Sequence, residues 1–580
     1  MKTLYRIAVL LVGILLISGC QPEAVEVTRV ITETITEEVE VTRVIEGEVV
    51  TEMVEVTRVI EVEAPEAAAP GERVTLRVAI DGSENSLNPY TYSSGYPGWN
   101  MLLLQYDTLM QFDTSGVPQP WLATNIETSE DGLTIVMDLR DDATWHDGEP
   151  FTSEDVKFTV EYYQEYNHGR WSLNTAEIAS VETDGDYRVI FNMAGPTPGF
   201  EQGTLADTPI LPMHIWESVT EPETHEFDTN IGTGPYKLVD MELEQFYVFE
   251  VNEDYWAGRP QVDELIFVQF ADTAGLLSGL RTRAVDMIAD PVGPEQIGVL
   301  ADVDGIDVIQ GPEFTTVMIN YDLEQAPFNN KVVRQAMNLA IDRQEVIDTV
   351  YLGAASVGSP GWIHPASPRF NEDVEIVYDP ELAAEMLDEA GIVDTDGDGI
   401  RELDGEPLSF EYLSRSSLAL VLRVAEVTSQ MLSEIGIEAV VTAVEDTTHI
   451  DALWPSFDVT QGRNYQMATF GWSAPAQANP LRMASLLHSD TGTGWLNLTG
   501  FSNERVDALG EALLSELDPE ASGEILNELQ AIVADELPFI LLLYPDGAYA
   551  YWSEGYDGWE FMTGQGVFHK LSFLPEENRP

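Results

Sequence analysis

The sequence predicts a mixed α/β fold for the main body of this chain, on three observations. Strand-like and helix-like segments alternate from Val74 to the end of the chain. No internal repeat follows residue 70. The 580 residues are 44% hydrophobic and 9% aromatic, which is enough apolar material for two or three domains with large cores.

The first element is a short apolar run that follows two basic residues. It extends from Ile7 to Ile17, too short to span a bilayer, and leads into Ser18-Gly19-Cys20, which contains the only cysteine of the chain. This pattern predicts a bacterial lipoprotein signal peptide over residues 1–20, with Cys20 lipidated. The alternative is that the apolar segment is not cleaved and stays as a membrane anchor. The mature protein is expected in the cell envelope, lipid-anchored and facing the periplasm or the outside.

The second element, residues 21–73, is repetitive and acidic. The unit Val-Glu-Val-Thr-Arg-Val-Ile begins at Val25, at Val39 and at Val54. Its β-branched residues favour extended chain, and its glutamates favour a solvated tether. A short coiled coil is the competing interpretation, because 14 residues are two heptads.

The strands of the body are marked by alternation of apolar and polar residues. Such runs occupy residues 74–80, 133–139 and 187–192. A period of two is typical of strands with one buried face. We therefore expect half-buried strands at these three places.

The helices are marked by their end signals. Asp379-Pro380 supplies an N-cap and a first-turn proline, and apolar residues at helical spacing then lead to Gly391, a C-terminal cap. Asp518-Pro519 opens a second helix of the same kind. Val332, Ala336, Leu339 and Ala340 form one face of a third.

Charge excludes some partners. The chain has 27 Lys and Arg against 101 Asp and Glu, a net charge of −74. Nucleic acid and anionic membrane surfaces are therefore not expected as partners. Salt should screen the repulsion between these charges. The acidic composition is therefore expected either for a protein from a saline habitat or for one that its surface charge simply keeps soluble.

Catalytic patterns are scarce in the sequence. The eight histidines are scattered, with no pair at helical ligand spacing, and Gly-x-Ser-x-Gly is absent. Gly232-Thr233-Gly234 is followed by proline where a phosphate loop needs a helix start, so it is interpreted as a turn. No cofactor is required by any of these patterns.

One metal-like segment stands out. Asp394, Asp396 and Asp398 occupy positions 1, 3 and 5 of a calcium-type loop, and Ile400 offers its carbonyl at position 7. Position 12 is Gly405, so the usual bidentate glutamate is missing. Calcium is one expectation here, and a bare Asp-Gly turn is the other.

Several segments resemble a known family. The most specific run includes Trp-Leu-Ala-Thr at 121–124, Ser-Glu-Asp-Gly-Leu-Thr at 129–134 and Trp-His-Asp-Gly-Glu-Pro-Phe-Thr at 145–152. Gly-Thr-Gly-Pro-Tyr-Lys-Leu at 232–238 and Asn-Glu-Asp-Tyr-Trp at 252–256 follow in the family's order. The chain resembles the extracytoplasmic solute-binding lipoproteins of dipeptide, oligopeptide and nickel ABC importers, from about Val74 to Leu574.

The resemblance implies a bilobal α/β protein of the periplasmic-binding-protein type, with an extra subdomain and a hinge between the lobes. The hinge would lie near residues 317–321 and 541–544. The implied segments are 74–118 (first segment of lobe I), 119–231 (small subdomain), 232–318 (second segment of lobe I), 319–544 (lobe II) and 545–580 (C-terminal segment of lobe I).

The resemblance also points to a ligand site, with one departure. Peptide binders of the family hold the peptide's ammonium with an aspartate shortly after a Gly-Trp, because a buried ammonium needs an anionic partner. Here proline stands near that place and no acid occurs before Asp490. The segment instead contains the amide side chains of Gln477 and Asn479, which are of the kind that binds hydroxyl groups of a ligand. The predicted ligand-binding residues are Tyr90, Gly471, Trp472, Ser473, Ala474, Gln477, Asn479, Trp495 and Tyr544.

The predicted function is therefore a solute receptor and not an enzyme. It would capture an oligopeptide by lobe closure, as a monomer, and deliver it to the permease subunits of an ABC importer. An oligosaccharide or another neutral solute is the alternative, and a secreted hydrolase is a distant one.

Overall fold

The structure is a computed structural model of the chain. It describes residues 31–45, 48–62, 73–81, 87–90, 98–166, 171–225, 230–472 and 479–580, the first two ranges as backbone only. The chain divides into two compact units, residues 1–66 and 67–580. Cys20, Ser473, Ala474 and Gln477 lie outside the described residues. Within the described ranges, no helix has the length and apolar character needed to cross a membrane.

The first two strands lie in the first unit, and the other described strands and helices alternate along the second. The strands are β1 (Ile31–Ile45), β2 (Glu48–Val62), β3 (Thr75–Asp81), β4 (Met110–Phe112), β5 (Pro118–Pro120), β6 (Ala123–Thr128), β7 (Thr134–Leu139), β8 (Ile178–Thr183), β9 (Arg188–Met193), β10 (Tyr236–Glu242), β11 (Phe246–Val251), β12 (Glu264–Phe270), β13 (Met287–Ile288), β14 (Ile306–Pro312), β15 (Val317–Tyr321), β16 (Ala355–Val357), β17 (Glu402–Leu403), β18 (Glu406–Pro407), β19 (Ser409–Arg415), β20 (Glu438–Val444), β21 (Met467–Phe470) and β22 (Phe539–Trp552). The α-helices are α1 (Gly98–Gln105), α2 (Ser153–Glu165), α3 (Trp171–Thr175), α4 (Met213–Trp216), α5 (Thr273–Arg281), α6 (Pro294–Ala301), α7 (Lys331–Ala340), α8 (Arg343–Val350), α9 (Pro380–Glu389), α10 (Ala419–Glu434), α11 (Asp446–Leu453), α12 (Arg482–Leu487), α13 (Glu504–Leu513) and α14 (Pro519–Glu536).

The first unit contains a hairpin where the sequence repeats. β1 and β2 pair antiparallel, with Val39 opposite Val54. The segment is thus paired strand, in keeping with its β-branched residues, and not the helix that a coiled coil would need.

The second unit is organised by one long strand. A twelve-stranded sheet has the order β10-β11-β12-β3-β13-β22-β15-β21-β19-β20, and β14 and β16 also pair with β22. The end of β22 from Asp546 onward pairs with β14 and β13, whereas its beginning, up to Pro545, pairs with β15 and β16. We call the strands on the β14 and β13 side the first half of the sheet, and those on the β15 and β16 side the second half.

The chain passes between the two halves twice. One passage is residues 313–316, between β14 and β15, and the other is the Pro545–Asp546 step inside β22. We call these two places the crossing. The hinge predicted near residues 317–321 and 541–544 adjoins these passages: 313–316 directly precedes the first segment, and Pro545–Asp546 directly follows the second. The domain boundaries stay a prediction.

Separate cores support the two halves. Val78, Tyr236 and Phe267 belong to the core of the first half, and Ile319 and Leu542 belong to one core of the second half. A four-stranded antiparallel sheet, β6-β7-β9-β8, has its own core with α2. The mixed α/β class predicted from the sequence is confirmed.

Candidate functional site

A cavity of about 440 Å³ opens at the crossing. Residues of the first half, of the second half and of β22 surround it together. Because the two halves meet here, a molecule in the cavity touches both. The lining residues are Gln310, Gly311, Pro312, Ser356, His364, Pro365, Ala366 and Asp546.

Strand pairing explains how these distant residues meet. Pro312 of β14 lies opposite Asp546, and Ala355 of β16 lies opposite Pro545. β22 therefore places the ends of β14 and β16 next to each other. Ligand sites commonly form where two domains of a protein meet.

One carboxylate, that of Asp546, lines the cavity. The Glu313 side chain lies over the neighbouring Gly547, where an added Cβ would come within 2.3 Å of the Glu313 Oε1. Burial raises the pKa of Asp546, an effect that a hydrogen bond with Ser356 partly offsets. Burial also raises the pKa of Glu313, and the nearby Asp546 adds to the shift, while the Tyr549 hydroxyl that donates to Glu313 opposes it.

His364 is the buried polar group of the lining. Its side chain is 2% exposed and packs between the rings of Phe314 and Tyr544, at centroid distances of 4.9 Å and 4.2 Å. The backbone N–H of Ala366 donates to its Nδ1 at 2.9 Å. Burial lowers the pKa of His364 to about 4, so the ring is neutral and carries its proton on Nε2. Among the described residues, Nε2 has no hydrogen-bond partner.

Gly471 and Trp472 reach the same crossing from β21. The Trp472 N–H donates to Thr316 Oγ1 at 2.8 Å, and the Thr316 N–H donates to the Trp472 carbonyl at 3.0 Å. A Cβ on Gly471 would lie 2.2 Å from the Thr316 carbonyl oxygen, so only glycine allows this approach. The half-buried Trp472 ring packs edge-on against Phe470 and Trp454.

The other predicted ligand residues that the structure describes lie elsewhere or are enclosed. Tyr544 is fully buried, and its hydroxyl donates to the Trp362 carbonyl at 2.8 Å. Tyr90 is in the core of the first half and donates to the Tyr166 carbonyl. Their roles in binding stay predictions.

Trp495 and Asn479 flank the start of α12. Trp495 is 45% exposed, with the Arg482 guanidinium 5.3 Å from its ring centre. The Asn479 side-chain oxygen accepts from the Leu481 N–H, so this amide helps to start the helix. Neither residue lines the cavity.

The acidic loop is ordered by its own carboxylates. Asp394 accepts from the N–H groups of Gly397 and Gly399, and these bonds lower its pKa. One oxygen each of Asp394, Asp396 and Asp398 lie within 4.8 Å of one another. Ile400 packs against a core of the second half, which anchors the loop.

Three of the sequence motifs, at 121–124, 232–238 and 252–256, meet at a different place, the buried Asp107. Burial would raise the pKa of this carboxyl, but the Lys570 ammonium and hydrogen bonds from Trp121 and Trp256 outweigh burial and hold the pKa below its ordinary value. These motif residues stabilise a buried charge, and none of them lines the cavity. The donors to Asp107 are Trp121, Thr233, Tyr255, Trp256 and Lys570.

Glu313, His364 and Asp546 carry no local sequence signal. Each is a single acid or histidine in a chain that has 101 acids and eight histidines. Only long-range pairing to β22 brings them together.

Comparison with known proteins identifies the family. The family model described as bacterial extracellular solute-binding proteins, family 5 (middle), matches residues 117–494. This chain belongs to that family. Its members are extracytoplasmic or periplasmic solute-binding proteins, so the chain is a solute-binding protein and not an enzyme.

Three similar proteins illustrate the family. The oligopeptide-binding protein AppA of Bacillus subtilis is 27% identical over 462 residues, which are 77% of this chain and 82% of AppA. The AppA structure in complex with a nonapeptide has a TM-score of 0.64 at 25% identity and covers 87% of this chain and 100% of that one. NikZ from Campylobacter jejuni, in complex with Ni(L-His), has a TM-score of 0.68 at 25% identity, with 85% and 97% covered. The bilobal fold implied by the resemblance is therefore confirmed.

Proposed function

We propose that this solute-binding protein is a lipid-anchored receptor that captures an oligopeptide by closure of its lobes and delivers it to the permease of an ABC importer. The observation that carries the proposal is the cavity at the crossing, which has walls from both halves of the sheet. A solute held there contacts both lobes, so it binds the closed form more tightly than the open form. Similarity to a protein solved with a nonapeptide supports a peptide as the solute.

A neutral solute such as an oligosaccharide is the second candidate. Asn479, one of the two amides that suggested it, uses its side-chain oxygen to start α12. The half-buried Trp472 offers an aromatic face of the type that sugars stack on. A nickel complex is a third solute class, because NikZ was solved with one.

A thermal-shift screen distinguishes these solutes. The purified protein is heated with short peptides, with oligosaccharides and with Ni²⁺ plus histidine. A ligand at ~100 times its dissociation constant that binds only the folded state adds ~2.7 kcal/mol of stability. We expect the melting temperature to rise with peptides. A rise with oligosaccharides alone, or with nickel alone, would contradict the peptide proposal.

Membrane attachment through Cys20 belongs to the same proposal. Acylation of the only cysteine would hold the protein at the cell envelope. Wild type should partition into detergent and carry the mass of a lipid, and Cys20→Ala should do neither. An unmodified Cys20 on the mature protein from its native membrane would contradict the anchor.

We also propose that the loop at 394–400 can hold calcium without requiring it. The support is the three carboxylate oxygens that lie within 4.8 Å of one another. Calorimetric titration should give heat with wild type and none with Asp394→Asn. If wild type gives no heat, the loop does not bind calcium and is only an Asp-Gly turn.

A further inference from the structure

Two leucines beside the helices of the second half contact the small antiparallel sheet. Leu517 lies in the connection between α13 and α14, and its Cδ1 is 2.4 Å from the place that a Cβ would take on Gly132. Leu481 precedes α12, and its Cδ1 is 2.9 Å from the place that a Cβ would take on Gly199. Both glycines have a positive φ, and because they lack a Cβ, each leucine methyl group contacts the glycine backbone directly.

The two glycines lie at one edge of the small sheet. Gly132 is in the turn between β6 and β7, and Gly199 is in the loop that follows β9. The start of β7 pairs with the end of β9, so this turn and this loop are neighbours. Pro196 lies between them, with its Cβ 3.4 Å from the place of a Cβ on Gly132. We call the packing of Leu481 and Leu517 on this edge the leucine contact.

The leucine contact joins parts of the molecule that are connected elsewhere by the crossing. The small sheet is tied to the first half through the buried Asp107, whose donors include Trp121 and Lys570. The helices next to the two leucines share a core with β15, β21 and β22 in the second half. A rotation about the crossing that parts the two halves therefore breaks the leucine contact, because no covalent link holds it.

The contact covers a limited apolar surface. Leu517 is still 37% exposed, and Leu481 is half-buried. Burial of part of a leucine side chain changes the ratio of two conformations by a factor on the order of 3- to 10-fold. A contact of this size shifts an equilibrium between an open and a closed form without fixing it in one state.

We propose that the leucine contact is a latch that stabilises the closed form, so that Leu481 and Leu517 control how tightly a solute is held although neither lines the cavity. For a ligand that binds only the closed form, the apparent affinity is the intrinsic affinity multiplied by the closed fraction. The two leucines are therefore positioning residues for solute capture. The inference rests on the lobe closure of the proposed function and names residues that control it.

Distance measurement by pulsed electron resonance tests the latch. Nitroxide labels are attached to cysteines introduced by Glu127→Cys in β6 and Glu524→Cys in α14, both exposed, in the full chain with Cys20→Ala. We expect a short and a longer distance in the protein without solute. Leu517→Gln should lower the ratio of the short to the longer population about 5-fold, because a polar side chain gains little from the contact.

A matched control removes a leucine that is not in the contact. Leu514 is also exposed and lies three residues earlier in the same connection, farther from Gly132 than Leu517 is. Leu514→Gln should leave the two populations as in wild type. The double variant Leu481→Ala with Leu517→Gln should lower the short-distance population further than Leu517→Gln alone.

Affinity and stability give two further measurements. For a pentapeptide that binds wild type, titration calorimetry of Leu517→Gln should show an affinity that falls by the same factor as the closed fraction. Saturating peptide should restore the short distance in every variant. Denaturant unfolding of Leu517→Gln should match that of Leu514→Gln, because a role in stability alone would not move the distances.

The outcomes separate the latch from the proposed function. Wild-type distances in both Leu517→Gln and the double variant would overturn the latch, whatever the protein binds. An equal shift in Leu514→Gln would overturn it too, because the contact would then have no specific effect. If the distances shift as expected but no peptide changes them in wild type, the latch stands and the peptide proposal fails.

Discussion

The carboxylate of Asp107 accepts hydrogen bonds from five side chains and is fully buried with Lys570. The donors come from three separate stretches of the chain, around residues 121, 233–256 and 570. One residue therefore ties the small antiparallel sheet region to the first half of the large sheet. The aromatic residues that made the sequence recognisable are the ones that satisfy this buried charge.

Replacement of Asp107 should be costly. Asp107→Asn leaves the Lys570 ammonium buried without its counter-charge, which typically costs about 3–5 kcal/mol of unfolding free energy. Denaturant unfolding measures the change. Asp131→Asn is the control, because Asp131 is an exposed turn residue. A loss below ~1 kcal/mol for Asp107→Asn would contradict the structural role given to this network.

His569 should make stability depend on pH. Burial lowers its pKa to about 4 in the folded protein, against about 6.5 in the unfolded chain. Between these values only the unfolded chain binds the proton, so stability is lost as pH falls from 6.5 to 4, by up to ~1.4 kcal/mol per pH unit.

The test compares wild type with His569→Gln, which can still donate to the Glu560 carbonyl. Unfolding free energy is measured from pH 4 to pH 8. The variant should lose stability less steeply below about pH 6.5, and the two curves should run parallel above it. Equal slopes in the acidic range would show that His569 is not held neutral.

At the scale of elements, local sequence patterns predicted strands and helices well. The strand expected at residues 74–80 is β3, and the helix expected from Asp379-Pro380 is α9, with Asp379 accepting from the Leu382 N–H. These elements are marked by periodicity and caps, which act over a few residues. Such patterns therefore predict the elements without predicting their partners.

The cavity could not be predicted in this way. His364 and Asp546 come together because β16 pairs with the long strand β22, which contains Asp546, and His364 packs on Tyr544 of that strand; nothing near either residue in the sequence indicates this pairing. Gly471 and Trp472 were found through the family resemblance. The structure adds the reason for the glycine, which is the approach of Thr316.

Gly471→Ala should separate β21 from the crossing. The new Cβ would meet the Thr316 carbonyl oxygen at 2.2 Å, so the backbone must shift at a cost of about 1–3 kcal/mol. We expect both a lower unfolding free energy and weaker peptide binding. Gly298→Ala, exposed in α6 with open space around its Cβ, should instead gain about 0.5–1 kcal/mol. Unchanged binding in Gly471→Ala would exclude this contact from the site.

For the whole molecule, the dominant physical fact is the net charge of −74. Mutual repulsion of so many carboxylates destabilises the compact state more than the unfolded chain. At the same time it keeps the protein soluble and separate from anionic surfaces. The resulting negative field attracts ligands that carry a positive charge.

Salt should therefore stabilise the protein. Raising NaCl from about 0.1 M to about 1 M shortens the screening length from about 10 Å to about 3 Å, which weakens the repulsion. The melting temperature should rise over this range. A flat or falling curve would show that the surface charges are already balanced by their local environment.

Capture of a peptide at the crossing between the lobes is the function on which the other proposals depend. A crystal structure of the protein with a bound pentapeptide would show directly where the peptide lies. We expect peptide density in the cavity between Gln310 and Asp546. Peptide density away from the crossing, with that cavity holding only solvent, would contradict capture at this place.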